Sequence, residues 1–437
     1  MLGNYDQNRY LKELAVFSKN RSILIAKVHD LTSLHVLVER GDRMKLGSEF
    51  FKLVTGRLVS NFGDSLYSIS LSWFIIRSTQ DSFWLGFLNA AVFAPNLFAF
   101  IFGRFIDLHS KKRILIFLEF GQFLGMVVLL VSLMLGFFNP LWISTIVFFS
   151  AIFSMNTYTT QDAFLPSLVT SSQLEKAQSI MSSSYRAADI LFNALSGFLA
   201  SAFQAWHLLI VSAAAFAGST GIFASMNNGA SSRVEPPAAD RPKVWFGFTL
   251  IFRDSKLTIL TFSGLIANFL FAGSNIYVVL IADKLNTAIA LGLFLGSAAI
   301  GSLIGTLYVS QTVLQHFGIG GKLVVGQLGF GLFTMISALC TNSILFIIPF
   351  TLAAVFLGVT FVSQNPIIQN EVASDSLGQA FSAKYTLEVG IMPIGSLFFG
   401  EIAKHMTSAL FFLIFGLAYL GLGAVTYLNK GLRQYRI

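Results

Sequence analysis

Four ionisable residues, Asp64, Arg186, Asp189 and Glu388, lie deep in stretches otherwise apolar enough to cross a bilayer. The segment MSSSYRAADILFNALSGFLAS, residues 181–201, holds two of them one helical turn apart. At a rise of about 1.5 Å per residue, Asp64 sits about eleven residues into its stretch, Arg186 and Glu388 about nine, and Asp189 about twelve. Each is then near the middle of a hydrocarbon layer about 30 Å thick. A charge there costs about 2.5 kcal/mol or more, so such groups face a bundle interior or a wet cavity and pair with one another. Two chemistries suit them. One is a structural ion pair of Arg186 with Asp64 or Asp189. The other is proton carriage, in which a carboxylate changes protonation as its surroundings open and close. Glu388 leads for that role because its only near cation on the same helix is Lys384; Asp64 ranks second and Asp189 third, with Arg186 as the modulating cation. Glu119 reads as a boundary residue, able to snorkel toward Arg113.

The elements that must position these residues follow from composition. Of 437 residues, 54% are hydrophobic and 11% charged, with 46 Phe and a mean hydropathy of +0.71. A soluble chain carries about 25% charged residues, so this is an all-α membrane protein. The net charge of +8 reflects basic residues in loops on one side of a membrane and not a nucleic-acid surface. Cys340 is the single cysteine, which excludes an intrachain disulfide and a C-x-x-C site. No pair of histidines has metal-ligand spacing and none lies at mid-membrane, which argues against a metal, a cofactor or an intramembrane enzyme. No G-x-x-x-x-G-K-[ST] motif is present, so ATP is not the expected energy source.

Twelve spans can be drawn, near 53–77, 83–105, 112–136, 140–163, 177–203, 206–226, 256–281, 286–312, 320–340, 343–369, 379–403 and 407–428. Residues 227–255, with NNGASSRVEPPAADRPK at their start, read as a linker between an N-terminal bundle (50–226) and a C-terminal bundle with a short basic tail (256–437). Residues 1–49 read as a dispensable extension, with an interfacial helix as the alternative. The loop Lys and Arg residues concentrate on the side of the linker and both ends, which predicts cytoplasmic termini in a plasma membrane. The halves also resemble each other. LVSNF (58–62) recurs as LIANF (265–269), LGFL (85–88) as LGLF (291–294), and Asp189 and Glu388 follow Pro166 and Pro366 at nearly equal spacing. A duplicated six-helix unit with parallel halves is expected. Asn61, Asn156, Asn268, Asn275 and Gln364 are the candidate polar wall of a substrate cavity between the halves, the plain alternative being hydrogen bonds from helix to helix.

GRFIDLHSKKR, residues 103–113, joins the second and third spans. It resembles the loop signature of the major facilitator superfamily, G-x-x-x-D-R-x-G-R-[RK], with Gly103, Asp107, Lys111 and Lys112 in register and Leu108 and Ser110 in place of the usual Arg and Gly. The resemblance implies a gating loop, whose basic residues meet an acid at the end of the fourth span; Asp162 is placed to be that acid. GRLVSNFGDSLYSISLSWFI, DAFLPSLVTSSQLEKAQSIMSSS and NEVASDSLGQAFSAKYTLEVGIMPIGSLFFG are similar to the macrolide-efflux (Mef-type) branch of that superfamily. NALSG departs from the Gly-Pro signature of drug antiporters in the fifth span, while Pro393 and Gly395 keep a version of it in the eleventh. The resemblance implies two six-helix bundles and a monomeric multidrug antiporter conferring antibiotic resistance. Its work would be proton-coupled efflux of lipophilic or amphipathic compounds, macrolide-like drugs among them. A proton-coupled importer of a small solute and a lipid or siderophore exporter are the alternatives.

Overall fold

Without water in the hydrocarbon layer, a spanning segment must satisfy its own backbone N–H and C=O groups, and this chain does so with helices. The computed structural model describes residues 46–98, 106, 109–170, 173–227, 246–340, 345–373 and 376–436, among which no strand occurs. The first six spans are Ser48–Thr79, Ser82–Phe93 with a 3-10 turn Ala94–Phe98, Lys111–Met134, Pro140–Phe164, Leu174–Ala202 and Ala205–Ala224. The second six are Ser255–Lys284, Ala288–Ile304 continued as a π-helix Gly305–Val313, Ile319–Leu339, Ile347–Glu371, Leu377–Gly390 with Met392–Ile402, and Ser408–Leu428. A short helix, Phe246–Arg253, lies within the stretch expected as linker. Both described ends and this helix share one face of the bundle, called here the terminal face.

Eight of these helices are long and apolar enough to cross a membrane by composition alone. The first, second, fifth and eleventh fall outside that set. The second is described only to Phe98, and the other three carry Arg57 and Asp64, Arg186 and Asp189, and Lys384 and Glu388. Each of those three spans carries a cation and an acid within its length. The eleventh also breaks at Ile391, because Pro393 lacks an N–H and its ring crowds the carbonyl four residues back.

The repeat is built into the backbone. Gln80 and Asn286 close the first and seventh spans with φ of 53° and 54°, and each precedes an N-cap, the Asp81 carboxylate accepting from the Phe83 N–H at 2.9 Å and the Thr287 hydroxyl accepting from the Ile289 N–H at 3.2 Å. Two matched far-face turns reverse the chain in the same way. Between the halves, the second span packs on the eleventh and the fifth on the eighth, a pair of contacts that six-helix duplication interchanges. Each is closest at glycines. A Cβ on Gly86 would lie 2.4 Å from the Ser396 carbonyl oxygen and 2.7 Å from the Gly400 Cα, and one on Gly197 would lie 2.3 Å from the Gly292 Cα. Ser82 Oγ donates to the Gly400 carbonyl at 2.8 Å across the first seam. Ion pairs Arg77–Asp283 and Lys404–Asp81, each at 3.3 Å, also tie the halves together at the far face.

The glycine contact predicts the effect of bulk. Gly197→Leu should destabilise this closed arrangement by about 1–3 kcal/mol, the usual cost of overpacking. In a Cys340→Ser background, a cysteine placed at Ala288 should react faster with an impermeant maleimide once Gly197 is Leu; unchanged reactivity would count against the contact as the far-face seal.

Candidate functional site

Three helices of the first half each present a stripe of polar residues at helical spacing. These are Arg57, Asn61 and Asp64 on the first span, Ser154, Tyr158 and Asp162 on the fourth, and Tyr185, Asp189 and Asn193 on the fifth. Residues three or four apart share a helix face, and the three stripes converge. Asp64 Oδ2 accepts hydrogen bonds from Ser154 Oγ and Tyr158 OH, both at 2.9 Å. Its Oδ1 is buried and has no protein hydrogen-bond partner among the described residues. Asn61 donates to the Tyr158 oxygen at 3.4 Å, and Asn193 donates to Asp189 Oδ1 at 3.3 Å. Asp64 and Asp189 lie close enough to interact electrostatically.

Toward the terminal face, Arg57 donates to Asp162 at 2.8 Å. Its guanidinium sits 5.1 Å from the Tyr158 ring centre and 4.9 Å from that of Tyr185, and the two rings meet edge to face at 5.3 Å. Arg57 therefore links Asp162 to the rings beside Asp64 and Asp189, with cation–π attraction adding to the ion pair. Phe62 and Phe192 meet edge to face at 5.1 Å, joining the first and fifth spans at the same level.

The second half is different. Aligning LVSNF with LIANF puts Phe271 where the first half has Asp64, and Phe271 packs on Phe330, Phe415 and Tyr419. Glu388 is instead paired with Lys384 at 2.5 Å, both side chains about 11% exposed. Its carboxylate occupies the space beside Gly264, where a Cβ would overlap it. Tyr385 donates to Asn96 Oδ1 at 3.2 Å, bridging the eleventh and second spans.

Several expectations change in this light. Glu388 was expected to have Lys384 as its only near cation on the same helix, and the two form an ion pair; Asp64, ranked second, is held by hydroxyl groups. Glu119 does not snorkel: it is fully buried and accepts from Ser60 on the first span at 2.8 Å and from Ser219 on the sixth. The hydroxyls explain why, since they satisfy its oxygens inside the bundle. Asp162, expected to meet a basic residue of the loop, accepts from Arg57 on the first span. Asn61 joins the site, but Asn156 points along another face of its helix and donates to the Ile152 carbonyl at 2.7 Å. Asn268 likewise donates to its own helix, at the Gly264 carbonyl, 2.9 Å away. Asn275 and Gln364 are half-buried. Lys111 and Lys112 open the third span. Gly103, Asp107 and the side chain of Arg186 lie outside the described residues. Arg57, Ser154, Tyr158 and Tyr185 were not anticipated; the i, i+4 stripes were the signal available. No group of three or more His, Cys, Asp or Glu residues among the described residues could hold a metal ion.

A bundle of twelve apolar helices in two matched halves, with polar groups gathered at mid-membrane, defines a membrane carrier. The family model described as Major Facilitator Superfamily matches residues 53–396, most of the chain, and the protein belongs to that superfamily of membrane transporters. No curated protein sequence matches it. Among solved structures it is similar to the nucleoside transporter NupG (11% identity, 89% of this chain and all of that one covered, TM-score 0.68). It is also similar to a POT family transporter in complex with 5-aminolevulinic acid (11%, 87% and 95%, 0.68). A third is a bacterial homolog of the human lysosomal transporter Spinster, inward-facing and unoccupied (13%, 89% and 97%, 0.65). At these identities the likeness is one of fold.

The buried Glu119 cluster yields a stability test. Glu119→Ala leaves the hydroxyls of Ser60 and Ser219 without their shared acceptor and should cost about 1–3 kcal/mol. Glu119→Gln keeps a carbonyl acceptor at the same place and should melt closer to the parent in detergent. Equal losses in the two variants would contradict a hydrogen-bonding role.

Proposed function

We propose that this transporter moves lipophilic or amphipathic compounds, macrolide-like drugs among them, outward across the cell membrane in exchange for protons. The terminal face is cytoplasmic in this reading, and the closed far face is extracellular. The observation that carries it is the state of Asp64: one oxygen held by two hydroxyls, the other free of protein partners, at mid-membrane and beside a second carboxylate. That geometry supports taking a proton on Oδ1 while Ser154 and Tyr158 keep the group oriented. Asp189, tethered by Asn193, is the neighbour whose charge the proton would relieve, since two like charges in a low dielectric disfavour each other. Glu388 would load only when its pair with Lys384 opens, so it serves as the second-half partner of the cycle. The rings of Tyr158, Tyr185, Phe62 and Phe192 offer flat apolar surface next to the charges, which suits an amphipathic molecule. The gating contacts of Gly103, Asp107, Lys111, Lys112 and Asp162 belong to the same proposal, with Arg57 now placed between the gate and the carboxylates.

A second reading has its own support. The first-half wall is rich in hydrogen-bonding groups, and the transporters similar in fold include a nucleoside transporter and a POT family transporter in complex with 5-aminolevulinic acid. Proton-coupled uptake of a polar solute fits those features.

Accumulation of a labelled macrolide and of a lipophilic dye in cells, with and without an uncoupler, separates the two. Export predicts that expression lowers accumulation and that the uncoupler restores it. Uncoupler-sensitive uptake of a polar solute, with no effect on macrolide or dye, would favour import. Asp64→Asn should abolish gradient-driven transport at normal expression while leaving substrate binding within a few-fold. Glu388→Gln should do the same, and Lys384→Gln should impair transport because it leaves Glu388 buried without its cation. Active transport surviving in Asp64→Asn would sink the assignment of the carrier carboxylate.

A further inference from the structure

A second cluster of basic residues lies away from the carboxylates, at the terminal face of the second half, around a cavity. A cavity of about 560 Å³ opens between the start of the ninth span and the segment that follows the twelfth. Arg433, Arg436 and His316 contribute to its wall, together with Phe317, Val324 and Tyr427, and no acidic residue among the described residues lines it. The Arg433 guanidinium stacks over the Tyr427 ring at 4.7 Å, which orients its donors without neutralising them.

The segment carrying these arginines is firmly seated. Leu432 is fully buried and Tyr435 nearly so. The Gly320 N–H donates to the Tyr435 carbonyl at 3.1 Å, and a Cβ at Gly320 would collide with the Leu432 carbonyl oxygen. Asn370 donates to the Tyr435 hydroxyl at 2.8 Å, and Lys256, paired with Glu371 at 2.6 Å, lies 5.4 Å from the Tyr435 ring centre. Residues 430–436 therefore clasp the ends of the seventh, ninth and tenth spans, while Arg433 and Arg436 face the cavity. Basic groups above an apolar floor, at the end of membrane helices, are complementary to a phosphate attached to acyl chains. Arginine's planar fork suits phosphate oxygens in particular.

We propose that this cavity binds the phosphate headgroup of an anionic phospholipid from the terminal-face leaflet, and that the bound lipid holds the 430–436 clasp against the second half. The site is independent of the substrate and coupling-ion reading above. Free phosphate shares the headgroup's chemistry, but the apolar floor of Phe317 and Val324 favours a ligand with chains attached.

The test uses the full chain purified in a neutral detergent, with dioctanoyl phosphatidylglycerol, dioctanoyl phosphatidylcholine and inorganic phosphate as probes, and melting temperature as readout. Phosphatidylglycerol should raise the melting temperature saturably, with neither other probe matching it. The Arg433→Gln/Arg436→Gln double variant should bind phosphatidylglycerol about thirtyfold more weakly, the factor expected from two basic residues at a membrane surface. The Lys322→Gln/Lys430→Gln variant loses the same charge from outside the cavity wall and should keep most of the response. Arg433→Lys/Arg436→Lys retains charge and should fall between, which guards against simple misfolding of the Gln variant. Equal losses in the arginine and lysine pairs would overturn the site in favour of diffuse surface charge. A full response to inorganic phosphate would overturn the lipid as its occupant.

Discussion

A carboxylate in hydrocarbon must find hydrogen-bond donors or a cation, and the hold of Ser154 and Tyr158 on Asp64 meets that demand. The cost of an unsatisfied polar group there is several kcal/mol, more than most single helix contacts contribute. The first, fourth and fifth spans consequently turn their polar stripes toward one another, and their remaining faces are left to lipid and to neighbouring helices. The same constraint explains Glu119, satisfied by hydroxyls from two other helices, and Glu388, whose Oε2 is paired with a lysine on its own helix while Oε1 has no protein partner among the described residues.

Duplication supplies the frame in which these groups differ. The matched turns at Gln80 and Asn286 and the interchanged glycine seams, Gly86 with Gly400 and Gly197 with Gly292, show two copies of one backbone plan. The chemistry is not copied. Where the first half has Asp64, the second has Phe271 in an aromatic cluster. One half thereby presents a polar wall at this level, and the other an aromatic cluster beside the Lys384–Glu388 pair.

Much of this was legible in the chain. Twelve apolar segments were readable because a bilayer imposes a minimum length and a low charge, and the span limits drawn from hydropathy agree with the helices to within a few residues at most ends. The mid-helix positions of Asp64, Asp189 and Glu388 followed from counting residues. The partners did not. Arg57 fell near the start of the first span as drawn from hydropathy and was given no role, yet the helix begins at Ser48 and carries it inside. Tyr158 and Tyr185 were two tyrosines among eleven, and nothing local distinguishes a ring that meets Arg57 from one that meets lipid.

Sequence by itself determined the class of protein, its repeat and the depth of its ionisable residues, because hydropathy and helix rise are one-dimensional quantities. Tertiary structure decided which acid is bonded by which group. Asp162 with Arg57, Glu119 with Ser60 and Ser219, and Asn156 with its own helix depend on the rotation of each helix about its axis. That rotation is set by the packing of neighbours distant in the chain, the close glycine seams among them, and no run of adjacent residues encodes it.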